Sequence, residues 1–77
     1  MPKNKKTAYF IGIGGIGVSA LARYYLANGW QVEGSDLVKS EITEELEREG
    51  VKINYGSHKK ENLPLDCNLL VFSPAVS

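Results

Sequence analysis

Four of the chain's eight glycines stand between Gly12 and Gly17, and this cluster limits the possible folds more than any other feature of the sequence. Glycine is disfavoured inside helices and strands because ordering it costs more backbone entropy than ordering other residues. The cluster therefore marks a turn. Before it runs Ala8 to Ile13 (AYFIGI), a short apolar stretch whose Tyr, Phe and Ile suit pleated backbone, so it reads as a buried first strand. After it, Ile16 to Asn28 reads as a helix that Asn28-Gly29 brings to a stop. Strand, glycine turn and helix together open an α/β unit.

Within the turn, Gly12, Gly14 and Gly17 spell G-x-G-x-x-G between a strand and a helix, the setting in which that pattern carries weight. In such loops the first glycine permits the tight turn, the second removes a side chain where a phosphate approaches the backbone, and the third lets helix and strand pack closely. The N–H groups of the first helical turn then face an anion, helped by the helix dipole. The expectation is a pyrophosphate cradle; the simpler alternative is a bare strand-to-helix turn. Asp36 lies 24 residues after Gly12, near where an acid accepts hydrogen bonds from a ribose in nucleotide-binding folds. Its alternative role is to form a turn or an extra cap.

Along the rest of the chain, Trp30 to Ser35 reads as a second strand with one wetter face, since Gln31 and Glu33 alternate with Trp30 and Val32. Ser40 is the expected N-cap of a helix over Glu41 to Glu49, with Glu41, Glu44 and Glu45 near its positive end and Ile42, Leu46 and Val38 as its apolar stripe. Val51 to Tyr55 makes a third strand, Ser57 to Leu65 a polar loop or single helical turn, and Asp66 to Phe72 a fourth strand that breaks at Ser73-Pro74. This order implies a parallel sheet of about four strands with right-handed crossovers, in one domain spanning residues 1–77. The first helix is apolar or aromatic almost all round, with Arg23 its only charge. It should be largely buried or pack against something beyond this chain.

Composition narrows the function. With 77 residues there is room for one small core, and a 43% hydrophobic content is enough to collapse it. Nine Lys/Arg balance nine Asp/Glu, so nothing suggests the basic footprint of a nucleic-acid binder. A lone cysteine, Cys67, rules out an internal disulfide framework. Lys3, Lys5 and Lys6 before an uncharged stretch resemble a signal peptide, but four glycines break that stretch and it is too short to span a bilayer comfortably. The expectation is a cytoplasmic chain with no membrane partner. No catalytic pair or metal-ligand spacing is evident: Cys67 reads as a small strand residue and His58 as a surface loop residue, and G-x-x-x-x-G-K-[ST] does not occur.

The string from Phe10 to Ser19, followed by Gly34-Ser35-Asp36, Glu41-Ile42-Thr43 and Ser73-Pro74-Ala75-Val76, resembles the N-terminal domain of the Mur ligases of peptidoglycan synthesis. Within that family it is most similar to the branch that joins L-alanine to UDP-N-acetylmuramate. The resemblance implies a Rossmann-like three-layer domain that binds a UDP-sugar. Gly12, Gly14, Gly15, Ile16 and Gly17 would hold the pyrophosphate with Ser19 nearby, Ser35 and Asp36 would meet the uridine, and Ser73 and Ala75 would line the same crevice. Family members usually carry a histidine directly after the glycine that follows the third strand, whereas here the order is Gly56-Ser57-His58. The resemblance also implies ATP-dependent amide formation using magnesium, in central and C-terminal domains that this chain does not include, so the chain alone should be inactive. Two alternatives remain open: an NAD(P)-binding Rossmann module, and the related ligase that recycles murein peptides.

Overall fold

The apolar runs resolve into six elements in a computed structural model, which describes residues 5–56 and 67–72. In chain order they are β1 (Thr7–Ile11), α1 (Ile16–Ala27), β2 (Gln31–Asp36), α2 (Glu41–Arg48), β3 (Lys52–Tyr55) and β4 (Leu69–Phe72). The strands form one sheet in the order β3-β2-β1-β4, parallel throughout, as the sequence implies. The chain steps from β1 to β2 to β3 in one direction, so right-handed crossovers bring both helices onto the same face. Arg23 of α1 confirms this by reaching Glu45 of α2 at 3.0 Å. These residues thus supply two layers. The connection between β3 and β4, read from the sequence as a polar loop, lies outside the described residues.

The core sits between the helices and that face of the sheet. Ala8, Phe10, Ile13, Ala22, Val32, Leu46, Val51 and Ile53 form it, with Leu69 and Val71 packed alongside. Register places Val71, Phe10, Gly34 and Ile53 in one row across all four strands. Gly34 leaves a gap in that row, and Ile13 fills it: a Cβ on Gly34 would lie 2.7 Å from Ile13 Cδ1 and 2.5 Å from the Phe10 carbonyl oxygen. The close-packing glycine of this fold is therefore Gly34, which the glycine pattern does not include. On the other face of the sheet Tyr9 is fully buried, and its hydroxyl has no hydrogen-bond partner among the described residues.

Several boundaries differ from the sequence expectation for identifiable reasons. β1 ends at Ile11 rather than Ile13, because the Gly12 and Ile13 amides both donate to the Ser35 carbonyl, at 2.9 and 3.0 Å, and curl the chain over the end of β2. β4 begins at Leu69 rather than Asp66. Asn68 precedes it, accepting from the Thr7 amide on its side-chain oxygen at 2.9 Å and donating its own amide to the Thr7 carbonyl at 2.8 Å. Cys67 is half-buried and stands just before the strand. Val38 is 66% exposed and so takes no part in the α2 stripe; Thr43, fully buried, packs inward with Leu46. The first helix is not largely buried, since only Ser19 and Ala22 are buried along it. A helix lying on one sheet offers that sheet one stripe, which leaves Ile16, Leu21 and Tyr24 exposed.

Candidate functional site

The strand order changes direction at β1, with β2 on one side and β4 on the other. In open parallel sheets the crevice outside the carboxyl ends of the strands at such a point is where ligands bind. The glycine loop leaves β1 there. Phe72, the last residue of β4, pairs with Ile11, so the chain also leaves β4 beside that loop. Ser73 and Ala75 follow directly and lie outside the described residues, as does His58.

Backbone hydrogen bonds hold the near side of the loop. Gly12 adopts φ +76°, a conformation costly for any residue with a side chain, and its carbonyl accepts the Gly15 amide at 3.0 Å to close a tight turn. The Ser35 carbonyl fixes the near side through Gly12 and Ile13, and the residue itself is buried. α1 then begins after Gly15, an N-cap with no side-chain hydrogen bond, and carries no acidic residue in its first turn. The amides of Ile16, Gly17 and Val18 have no partner among the described residues. Three N–H groups at the positive end of a helix dipole suit an anion.

Asp36 stands at the carboxyl end of β2, half-buried. Its Oδ2 accepts the Gly14 amide at 2.7 Å, and its Oδ1 lies 3.4 Å from the Val38 amide, a weak contact. Each carboxylate oxygen retains a lone pair for a ligand hydroxyl. The carboxylate thus braces the turn, the alternative role read from the sequence, with lone pairs left over.

Two of the glycine roles expected from the pattern change. A Cβ at Gly17 would meet nothing within 4 Å, so Gly17 does not bring helix and strand together. A Cβ at Gly14 would lie 2.8 Å from Asp36 Oδ2 and 3.0 Å from Thr43 Cγ2. The missing side chain at Gly14 makes room for the protein's own carboxylate and for α2. Ser19 is buried and its hydroxyl donates to the Ile16 carbonyl at 3.0 Å, within the helix.

Around these groups lie Ile16, Leu37 and Val38, at 84%, 57% and 66% exposure an unusually apolar surround for a polar site. Of these, only Ile16 is among the site residues expected from the sequence; Leu37 is not singled out there, and Val38 is read there as part of the α2 stripe. Tyr55, opposite Asp36 on β3, has its phenol pushed up from the ordinary value, mainly by burial. No group of three His, Cys, Asp or Glu residues suited to a metal occurs among the described residues. None of the described helices is long and apolar enough to cross a membrane.

Comparison with known proteins agrees with this geometry. The family model described as "Mur ligase family, catalytic domain" matches residues 7–77. A UDP-N-acetylmuramate–L-alanine ligase of Campylobacter jejuni is 52% identical over 68 residues, which cover 88% of this chain and 15% of that protein. One from Brachyspira hyodysenteriae is 48% identical over 75 residues, covering 97% of this chain and 16% of that protein. Among solved structures, the UDP-N-acetylmuramate-alanine ligase MurC of Thermotoga maritima superposes with a TM-score of 0.80 at 38% identity, over 92% of this chain and 16% of its own. The chain therefore spans about one sixth of the length of these relatives. A match over nearly all of its residues, with the same parallel α/β architecture, makes this chain a member of the Mur ligase family.

Proposed function

We propose that this chain is the UDP-sugar-binding domain of a ligase that joins L-alanine to UDP-N-acetylmuramate in peptidoglycan synthesis. The observation that carries the reading is the set of three amides at Ile16, Gly17 and Val18 that have no partner among the described residues, following the Gly14 amide that Asp36 accepts at the switch point of the sheet. A diphosphate seated on those amides places its nucleoside within reach of Asp36 and of the apolar side chains Leu37 and Val38. Ser73 and Ala75 belong to the same proposal through the family resemblance, as residues of the segment that follows β4.

The names of the relatives favour the alanine-adding reaction over murein-peptide recycling. ATP and magnesium are expected for the reaction, but the residues described here do not fit them: no acidic or histidine cluster stands near the loop, and the sequence has no G-x-x-x-x-G-K-[ST]. In this proposal the chain's own residues bind and orient the UDP-sugar, and amide formation belongs to the remainder of a longer ligase. The 77-residue chain alone is then inactive.

Titration of the ¹⁵N-labelled chain tests the proposal. UDP-N-acetylmuramate should shift the amides of Ile16, Gly17 and Val18, with NADH causing no comparable change. Micromolar binding of NADH, with those amides unmoved by UDP-N-acetylmuramate, overturns it in favour of a dinucleotide-binding module.

A further inference from the structure

We infer that Asp36 is a specificity-determining internal acceptor: by occupying the Gly14 amide it closes the second glycine of the loop to phosphate, so that a nucleoside diphosphate seats only on Ile16, Gly17 and Val18. This rests on the UDP-sugar reading and deepens it. In dinucleotide-binding folds the second glycine is the position at which the backbone approaches the pyrophosphate. Here that approach is filled from two sides. Asp36 Oδ2 accepts the Gly14 amide at 2.7 Å, and the space a Gly14 side chain would enter is bounded by that same oxygen at 2.8 Å and by Thr43 Cγ2 at 3.0 Å.

Thr43 cannot easily withdraw. It is fully buried in the first turn of α2, where its hydroxyl accepts the Ser40 amide at 2.8 Å and donates to the Ser40 carbonyl at 3.0 Å. The carboxylate brings a second barrier, since a phosphate oxygen approaching Gly14 meets a like charge at hydrogen-bond distance. The Ile16, Gly17 and Val18 amides have no partner among the described residues, and their own turn holds no acidic residue. The loop thus has the spelling of a dinucleotide site while its second glycine amide is spent on the protein's own side chain. A ligand that needs only the helix start is accepted; one whose pyrophosphate must lie across Gly14 is refused.

The test is a titration of the ¹⁵N-labelled 77-residue chain with UDP, run on the wild type, Asp36→Asn and Asp36→Ala. In the wild type the Ile16, Gly17 and Val18 amides should shift strongly and Gly14 little. Asn keeps an acceptor oxygen for Gly14 but loses the charge, so Asp36→Asn should retain the closed pattern. Asp36→Ala vacates the seat, and the Gly14 amide should then join the shifting set and lose its protection from hydrogen exchange in the free protein. A Gly14 shift in the wild type as large as those of Ile16 to Val18 overturns the inference while leaving the UDP-binding reading intact. So does a Gly14 response in Asp36→Asn equal to that in Asp36→Ala, because charge alone would then be the cause. If UDP moves none of these amides, the underlying functional reading fails instead. The wild-type titration decides between these outcomes even if Asp36→Ala does not fold.

Discussion

Replacing Gly17 with alanine should raise stability and weaken nucleotide binding, two effects that separate a ligand-clearing glycine from a packing one. Gly17 is the second residue of α1 and is exposed, and a Cβ there meets no atom within 4 Å. With no clash to relieve, the folded state loses nothing. The unfolded chain loses freedom and the helix gains propensity, together about 0.4 to 1 kcal/mol in favour of folding. For a domain of this size that is a rise in Tm of roughly 2 to 6 °C, readable by differential scanning calorimetry. Cβ atoms tilt toward the helix N-terminus, so the new methyl stands before the open amides of the first turn. Displacing one charge-assisted hydrogen bond from a phosphate costs about 1.5 to 3 kcal/mol, which is a roughly tenfold to hundredfold weaker Kd for UDP by titration calorimetry. A fall in Tm would show that Gly17 is needed for packing after all. A raised Tm with unchanged UDP affinity would remove the first turn of α1 as the phosphate seat.

Other substitutions test the neighbouring contacts. Gly34→Ala forces a methyl to 2.5 Å from the Phe10 carbonyl oxygen and into Ile13, and overpacking of this kind should cost about 1 to 3 kcal/mol in denaturant melts; a neutral result would mean that Ile13 does not fill the row. Gly14→Ala should destabilise the chain even without ligand, by displacing Asp36 Oδ2 and pressing on buried Thr43, and the loss should be visible as a lower Tm in the absence of nucleotide. Ser40→Ala removes the acceptor of the Thr43 amide, now at 3.3 Å, and should cost about 0.5 to 2 kcal/mol by thermal melting, with no effect expected if the cap is idle.

How much of this the sequence carried depended on whether a feature was local. The glycine loop, the Ser40 cap and the alternation of strands with helices are written in residues a few positions apart, and all are found in the structure. The parallel sheet followed from that alternation, because sequential strands joined by helices have few other ways to pair. The roles of individual glycines did not follow. The packing part expected of Gly17 falls to Gly34, because the gap Ile13 fills is made by register between β1 and β2, which no spacing within the loop reveals. The Asp36 contact with Gly14 spans 22 residues, and an acid at that distance is equally consistent with meeting a ribose or a backbone amide. The exposure of α1 was hard to foresee for a related reason: an apolar helix states that it needs cover, not how much of that cover the sheet supplies.

The two helices begin at the same edge of the sheet, and the contrast between their first turns is the strongest argument that one of them is a binding element. α2 is sealed by its own side chains. Ser40 and Thr43 bond reciprocally, and Glu41 and Glu44 stand in the first turn where they offset the positive end of the dipole. α1 has none of this: Gly15 caps it without a side chain, no acid follows, and Ile16 is left 84% exposed at its start. A chain that caps one helix with a side chain has the chemical means to cap the other, and a serine at position 15 in place of glycine would supply an acceptor for a first-turn amide. Leaving glycine rather than serine at this cap forgoes a few tenths of a kcal/mol in a small domain with little stability to spare. That omission is what a phosphate would fill, and a chain with zero net charge needs it: with no basic excess to draw an anion in, recognition has to come from backbone amides held in position.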